Sequence, residues 1–130
     1  MIAGGILNAL FFLFHVFVGY RIQHLSQLAA GYRALLESFN VAGALCIFFL
    51  AYASFLRHQD LLETKLGHAV LAFASLLYLS RAAEEFFLFK FDAAVFGSCL
   101  LVGAVYVVAL VIATKRGGPA ATFSPVERPN

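Results

Sequence analysis

The chain has 130 residues, of which 62% are hydrophobic and only 12% are charged, whereas soluble domains carry roughly 25% charged residues. With a mean hydropathy of +0.89, this composition excludes a soluble catalytic domain and indicates a polytopic membrane protein of one domain. The net charge of +2 comes from dispersed basic residues, which excludes the continuous positive surface that nucleic-acid binding needs. We therefore expect an all-α transmembrane bundle of four helices that run up, down, up and down.

The first apolar run, residues 2–20, is uncharged apart from His15 if its ring is neutral, and it is long enough to span a bilayer. A secretory signal peptide is the alternative interpretation, but the basic residue expected before its apolar core is missing. Small and polar residues recur at spacings of three and four and therefore share one face. That face should look into the bundle, and it carries Gly4, Asn8, Phe11, His15 and Gly19.

Residues 21–33 mix polar residues with leucine and alanine, which is typical of a short connection in the headgroup layer. The second helix is predicted at residues 34–56, with a stripe of polar and small residues at Glu37, Asn40, Ala44, Ile47, Ala51 and Ser54. Asparagine can hydrogen-bond across a helix interface in lipid. We expect Asn40 to join two helices, with a ligand contact as the alternative.

Residues 57–65 carry charges of both signs and predict a solvated turn, after which residues 66–88 form the third helix. Residues 93–114 contain no charge and form the fourth helix, in which Gly97 and Gly103 lie six apart rather than four as in a GxxxG dimer face. Residues 117–130 contain three prolines and few apolar residues, and this composition predicts a disordered tail.

The third helix ends in SLLYLSRAAEEFFLFKFD, the only long apolar run of the sequence that contains a basic residue and two acids within it. Arg81 lies three and four residues before Glu84 and Glu85, so its guanidinium can reach either carboxylate on one helical surface. Charges kept at membrane depth usually face the bundle interior or a wet cavity. The alternative is a helix end at which Arg81 extends to the headgroups.

Four crossings place both termini and residues 57–65 on one side of the bilayer, which we name side B. Residues 21–33 and 89–92 then lie on the opposite side, side A. The candidate polar residues of the first three helices fall in the side-A half, and His15, Asn40 and Arg81 lie about 8–11 Å below the helix ends at a rise of 1.5 Å per residue. We therefore predict a polar side-A pocket for ligand binding or proton relay, formed by His15, Glu37, Asn40, Arg81, Glu84 and Glu85.

The residue types of this predicted pocket suit proton transfer or the binding of a small polar ligand. A nucleophilic catalytic triad is not indicated, because no serine or cysteine occurs with a suitable base and orienting acid. A haem bound between two histidines is not indicated either, because no second histidine matches the depth of His15. No close spacing of ligand residues indicates a metal site. The sequence therefore predicts no cofactor. The 15 phenylalanines are explained by lipid contact and packing, with a pigment or quinone contact as the alternative. Cys46 and Cys99 lie at different depths, so no disulfide is expected.

Two segments carry a resemblance to a known family: YRALLESFNVAGAL at the start of the second helix and LSRAAEEF near the end of the third. Over about residues 5–114 the chain resembles the small four-helix bacterial membrane proteins of the DoxX-like type, mainly in hydropathy and topology. The resemblance implies an accessory role in a bacterial inner membrane. It assigns no site residue, because residues 41–44 lack the deep glutamate expected of that family.

We interpret the chain as a binding or accessory subunit of a larger membrane assembly, with another membrane protein or further copies of itself as partner. A proton-coupled or small-solute transporter is the second interpretation, and a membrane enzyme acting on a lipid or quinone is the third. Side B carries five Lys and Arg residues against three or four on side A, which slightly favours cytoplasmic termini.

Overall fold

The computed structural model describes residues 1–27, 29–87 and 91–116, which are helical apart from short connections and contain no strand. Five helices follow one another: α1 Ile2–Gln23, α2 Ala30–Leu56, α3 His58–Glu63, α4 Lys65–Phe87 and α5 Ala93–Arg116. All except α3 are long and apolar enough to cross a membrane. The protein is an integral membrane protein built as a four-helix bundle, which confirms the predicted fold class. The predicted tail at 117–130 lies outside the described residues.

The connection between the first two spans is shorter than the sequence predicted. Helix α1 continues three residues past Tyr20 to Gln23, and α2 begins at Ala30 rather than at residue 34. The N–H of His24 donates to the carbonyl of Arg21 at 3.1 Å and closes the last turn of α1. The later spans, α4 and α5, agree with their predicted bounds to within two residues.

The side-B connection is more ordered than the solvated turn expected from its charges. It contains α3, whose Leu61 is only 4% exposed and belongs to the central apolar cluster. Thr64 caps the next helix, because its Oγ1 accepts a hydrogen bond from the N–H of Gly67 at 2.9 Å. A Cβ on Gly67 would lie 2.5 Å from Cα of Leu61. Glycine therefore permits the backbones of α3 and α4 to touch.

The bundle consists of two antiparallel hairpins, α1 with α2 and α4 with α5, which meet mainly in the half of the membrane nearer side B. The buried residues of α2 all lie in its second half, from Ile47 to Ser54. Those of α1 lie at Gly4, Gly5 and Asn8, apart from Ile22 near its end. Toward side A the first hairpin therefore buries few residues, whereas α4 and α5 stay packed there through Ala82, Glu85 and Cys99.

Most of the surface of the spans faces outward. Within the most apolar 18 residues of each span, only 17% to 33% of positions are buried. The outward side chains are large and apolar, including Leu13, Phe39, Leu45 and Leu76, each more than 60% exposed. In water such a surface would be an aggregation hazard. It is suited to contact with lipid tails or with other transmembrane helices.

Candidate functional site

The most buried polar groups form a network to which each of the four spans contributes one side chain. Asn8 of α1 is 0% exposed, Ser54 of α2 is 1%, Tyr78 of α4 is 3% and Tyr106 of α5 is 1%. We name these four residues the Asn8 network, because Asn8 contacts both tyrosines. The network lies where the two hairpins meet.

Every polar side chain of the Asn8 network has a hydrogen-bond partner. The hydroxyl of Tyr78 donates to Oδ1 of Asn8, and Nδ2 of Asn8 donates to the hydroxyl of Tyr106. The second Nδ2 proton goes to the carbonyl of Gly4 at 2.7 Å, and the hydroxyls of Tyr106 and Ser54 lie 2.9 Å apart. The tyrosine rings stack with centroids 6.3 Å apart. Because the hydrocarbon layer offers no water, these mutual bonds stabilise the bundle.

A second polar pair joins α1 to α2 in the side-A half. Nδ1 of His15 lies 2.9 Å from Oδ1 of Asn40, and Nδ2 of Asn40 donates to the backbone carbonyl of His15 at 3.0 Å. The pair confirms the prediction that Asn40 hydrogen-bonds across a helix interface. It also gives His15 a hydrogen bond to a neighbouring helix.

Two glycines make room for this pair. A Cβ at Gly43 would lie 3.2 Å from Cε1 of the His15 ring, and a Cβ at Gly19 would lie 3.0 Å from Nδ2 of Asn40. Each helix thus has a glycine opposite the polar side chain of the other. The predicted face of α1 included Gly19, but the predicted stripe of α2 did not include Gly43, because the match between the two glycines depends on the register between the helices.

A third polar group lies at the side-A end of the second hairpin. Nη1 of Arg81 is 2.7 Å from Oε1 of Glu85 and 3.7 Å from Oε2 of Glu84, which confirms that the arginine reaches both acids. The side chain of Glu85 is only 3% exposed, whereas those of Arg81 and Glu84 are 39% and 43% exposed. The triad therefore combines both expectations, with one carboxylate in the bundle and the other at the helix end.

Glu85 also holds the start of the last helix. Its Oε2 accepts a hydrogen bond from the N–H of Asp92 at 3.1 Å. Asp92 in turn caps α5, because its Oδ1 accepts from the N–H of Ala94 at 2.8 Å and that of Val95 at 3.2 Å. The buried carboxylate of Glu85 therefore bridges Arg81 and the N-cap of α5, which ties the end of α4 to the start of α5.

Phenylalanines pack together where α4 ends and α5 begins. The rings of Phe86, Phe91 and Phe96 lie against one another, with centroids 5.1 to 5.6 Å apart. Phe86 and Phe91 remain at least half exposed. These aromatic side chains therefore pack against each other and also present an apolar surface outward.

The six residues expected in one side-A pocket fall into two groups. His15 and Asn40 bond each other on the first hairpin, where Glu37 is half-buried one turn before Asn40, and Arg81, Glu84 and Glu85 interact on the second. Among the described residues no hydrogen bond or ion pair links His15 to any of the three glutamates. No group of three His, Cys, Asp or Glu in that part of the chain could hold a metal ion. Cys46 and Cys99 are free thiols.

The sequence pattern did not reveal the network as a set, although Asn8 and Ser54 lay on the predicted faces of the first two helices. Tyr106 was not singled out, because it stands in a helix without charges. The signal that could have found it is its hydroxyl, since a tyrosine in a membrane helix normally needs a partner when it is buried.

No protein-family model matches the chain, and neither curated proteins nor solved structures gave a match. The DoxX-like resemblance therefore stays a prediction.

Proposed function

We propose that the protein is a binding or accessory subunit that joins another membrane protein through a cleft between α1 and α5. The cleft lies where the two hairpins diverge toward side A and has a volume of about 410 Å³. Its lining is almost wholly apolar, and its residues are Leu7, Leu10, Phe11, Phe14, Ala94, Val95 and Ser98.

The α5 wall of this cleft carries the observation on which the proposal rests. Ala94 and Ser98 lie four residues apart, which is the small-xxx-small spacing that lets two transmembrane helices approach closely. A Cβ at the neighbouring Gly97 would meet nothing within 4 Å, whereas one at Gly103 would meet Leu79 at 3.0 Å. Gly103 thus serves packing within the chain, and the small residues near Gly97 remain open to a second helix.

The pairing of the polar groups favours binding over transport. The Asn8 network closes on its own members, His15 is bonded to Asn40, and Glu85 is held by Arg81 and the backbone of Asp92. Groups that bond each other in this way stabilise helix contacts. A proton or solute path would instead present such groups in succession along a shared cavity.

The test is purification of the full chain in mild detergent, followed by measurement of the mass and composition of the complex. We expect a partner in a fixed ratio, either a different membrane protein or a second copy, which the total mass distinguishes. Gly97→Leu should abolish the association, because it places a bulky side chain beside Ala94 and Ser98 of the α5 wall, at a position where a Cβ would meet nothing within 4 Å. Ala72→Leu, at an exposed position of α4 outside the cleft, is the matched control and should keep the partner.

Two outcomes would contradict the proposal. A wild-type chain that purifies only as a monomer has no stable partner. Equal retention of the partner by Gly97→Leu and Ala72→Leu would show that association uses another surface.

A further inference from the structure

A second concave surface lies on the outer side of the first hairpin, between α1 and α2. This groove has a volume of about 450 Å³, within the range of about 300–1,000 Å³ that is usual for small-molecule sites. Gly19 and Ala44 give it depth, Phe12 and Val16 form one wall, and Val41 and Leu45 form the other. His15 and Asn40 also line it, and with Tyr20 and Gln23 toward the end of α1 they add hydrogen-bonding groups to a largely apolar surface.

The hydrogen bonds of the His15 and Asn40 pair determine which ring nitrogen carries a proton. Nδ2 of Asn40 donates to the carbonyl of His15, so the amide cannot be turned over without facing two oxygens toward each other. Oδ1 of Asn40 therefore faces Nδ1 of His15 at 2.9 Å and must accept its proton. The geometry thus assigns the proton of a neutral ring to Nδ1, which makes Nε2 a hydrogen-bond acceptor.

Within the described part of the chain, no hydrogen bond or ion pair is made to Nε2 of His15. No carboxylate there pairs with the ring, and an uncompensated charge is costly in the hydrocarbon layer. The hydrogen bond that the structure gives to the ring is made at Nδ1. The lone pair of Nε2 therefore remains available on a side chain that lines the groove.

We propose that this groove binds a membrane-soluble molecule that carries a hydroxyl group on an apolar body, with the hydroxyl donating to Nε2 of His15. The apolar walls suit the body of such a molecule, and the acceptor requires a donor rather than a carbonyl. A quinol and a long-chain alcohol share this chemistry, whereas a quinone has only acceptor oxygens. The groove lies on the α1 and α2 face, apart from the cleft between α1 and α5, so the site does not depend on the proposed partner.

The test uses the full chain with ¹⁵N-labelled histidine in lipid nanodiscs, where NMR distinguishes protonated, free and hydrogen-bonded ring nitrogens. The chain has four histidines, so the His15 signals can be assigned by their loss in His15→Gln. The probes are a decyl benzoquinol against the matching benzoquinone, and dodecanol against dodecyl methyl ether. We expect the hydroxyl member of at least one pair to shift Nε2 of His15 saturably, while its partner without a hydroxyl does not.

Two variants separate binding in the groove from general partition into the membrane. Val41→Trp narrows the groove at a wall residue that is 56% exposed, and it should weaken probe binding at least tenfold. Val111→Trp places the same side chain on α5 at a position that is 45% exposed and lies outside the groove, and it should leave probe binding unchanged. Helical content and monodispersity of both variants provide the folding control.

The response to the two pairs of probes identifies the source of the hydroxyl. A shift with the quinol alone assigns a phenolic ligand, and a shift with dodecanol alone assigns an aliphatic alcohol. Three results would overturn the proposal: a His15 ring protonated on both nitrogens, no saturable shift with either hydroxyl probe, or equal effects of Val41→Trp and Val111→Trp. Because Gly97→Leu does not touch the groove, this experiment succeeds or fails separately from the partner measurement.

Discussion

The two halves of the bundle satisfy their polar side chains in different ways. In the half nearer side B, one residue from each of four helices enters the Asn8 network, so the two hairpins share their hydrogen bonds. In the half nearer side A, each hairpin bonds its own residues, His15 with Asn40 and Arg81 with Glu85. Polar groups at the same depth therefore need not contact each other. The side-A half therefore remains open enough to contain the cleft and the groove.

The largest effect is expected where the hairpins share hydrogen bonds. Asn8→Ala leaves the buried hydroxyl of Tyr78 without its acceptor, whereas the hydroxyl of Tyr106 loses one bond but keeps Ser54. We expect a loss of about 3 kcal/mol in the free energy of unfolding, since an unsatisfied buried group costs about 1–3 kcal/mol and the bond to Tyr106 is lost as well. Unfolding by SDS in mixed micelles measures the loss. A loss in the free energy of unfolding smaller than that of Asn40→Ala would mean that the polar contacts stabilise the side-A half more than the side-B half.

An intermediate effect is expected at the end of the second hairpin. Arg81→Ala leaves the buried carboxylate of Glu85 without its cation, which for a fully buried pair costs about 3–5 kcal/mol. Because the Arg81 side chain is 39% exposed, we expect about 2 kcal/mol after solvent screening. The double variant Arg81→Ala with Glu85→Gln should regain part of this stability in the same SDS titration. A silent Arg81→Ala would assign the arginine to the headgroup layer alone.

The smallest effect is expected for the polar pair within the first hairpin. Asn40→Ala removes two hydrogen bonds between α1 and α2, and the half-buried His15 can turn toward the groove. Hydrogen bonds between membrane helices contribute about 0.6 kcal/mol on average, so we expect a loss of about 1 kcal/mol. His15→Gln, which can still donate to Asn40, should lose less than Asn40→Ala. Equal losses of stability for Asn8→Ala and Asn40→Ala would mean that the polar contacts stabilise the two halves of the bundle equally.

The fold was predictable because each apolar run must be long enough to match the thickness of the bilayer. Four apolar runs of about 20 residues specify four spans, and the spacing of Asn8, Asn40 and Ser54 identified faces that do turn inward. The ion pair from Arg81 to Glu85 was also predictable, since it lies within one helix at a fixed separation of four residues.

The contacts between helices were less predictable, because they depend on register and on which helices are neighbours. Asn8 and Tyr106 are 98 positions apart, and no local spacing connects them. His15 and Arg81 lie at one depth, but depth along a helix does not show that they belong to separate hairpins. The charged residues around Leu61 predict exposure to solvent, although packing against α4 buries it.

The bond from Asn8 to the carbonyl of Gly4 has a consequence for the biogenesis of the protein. It lies within a single turn of α1, so it can form as soon as that helix enters the bilayer, before Tyr78 and Tyr106 have been synthesised. During this interval one of the two N–H protons of the amide already has an acceptor within its own helix. When the second hairpin inserts, the tyrosine hydroxyls meet an asparagine that its own helix has already oriented, with Oδ1 and the other N–H left for them.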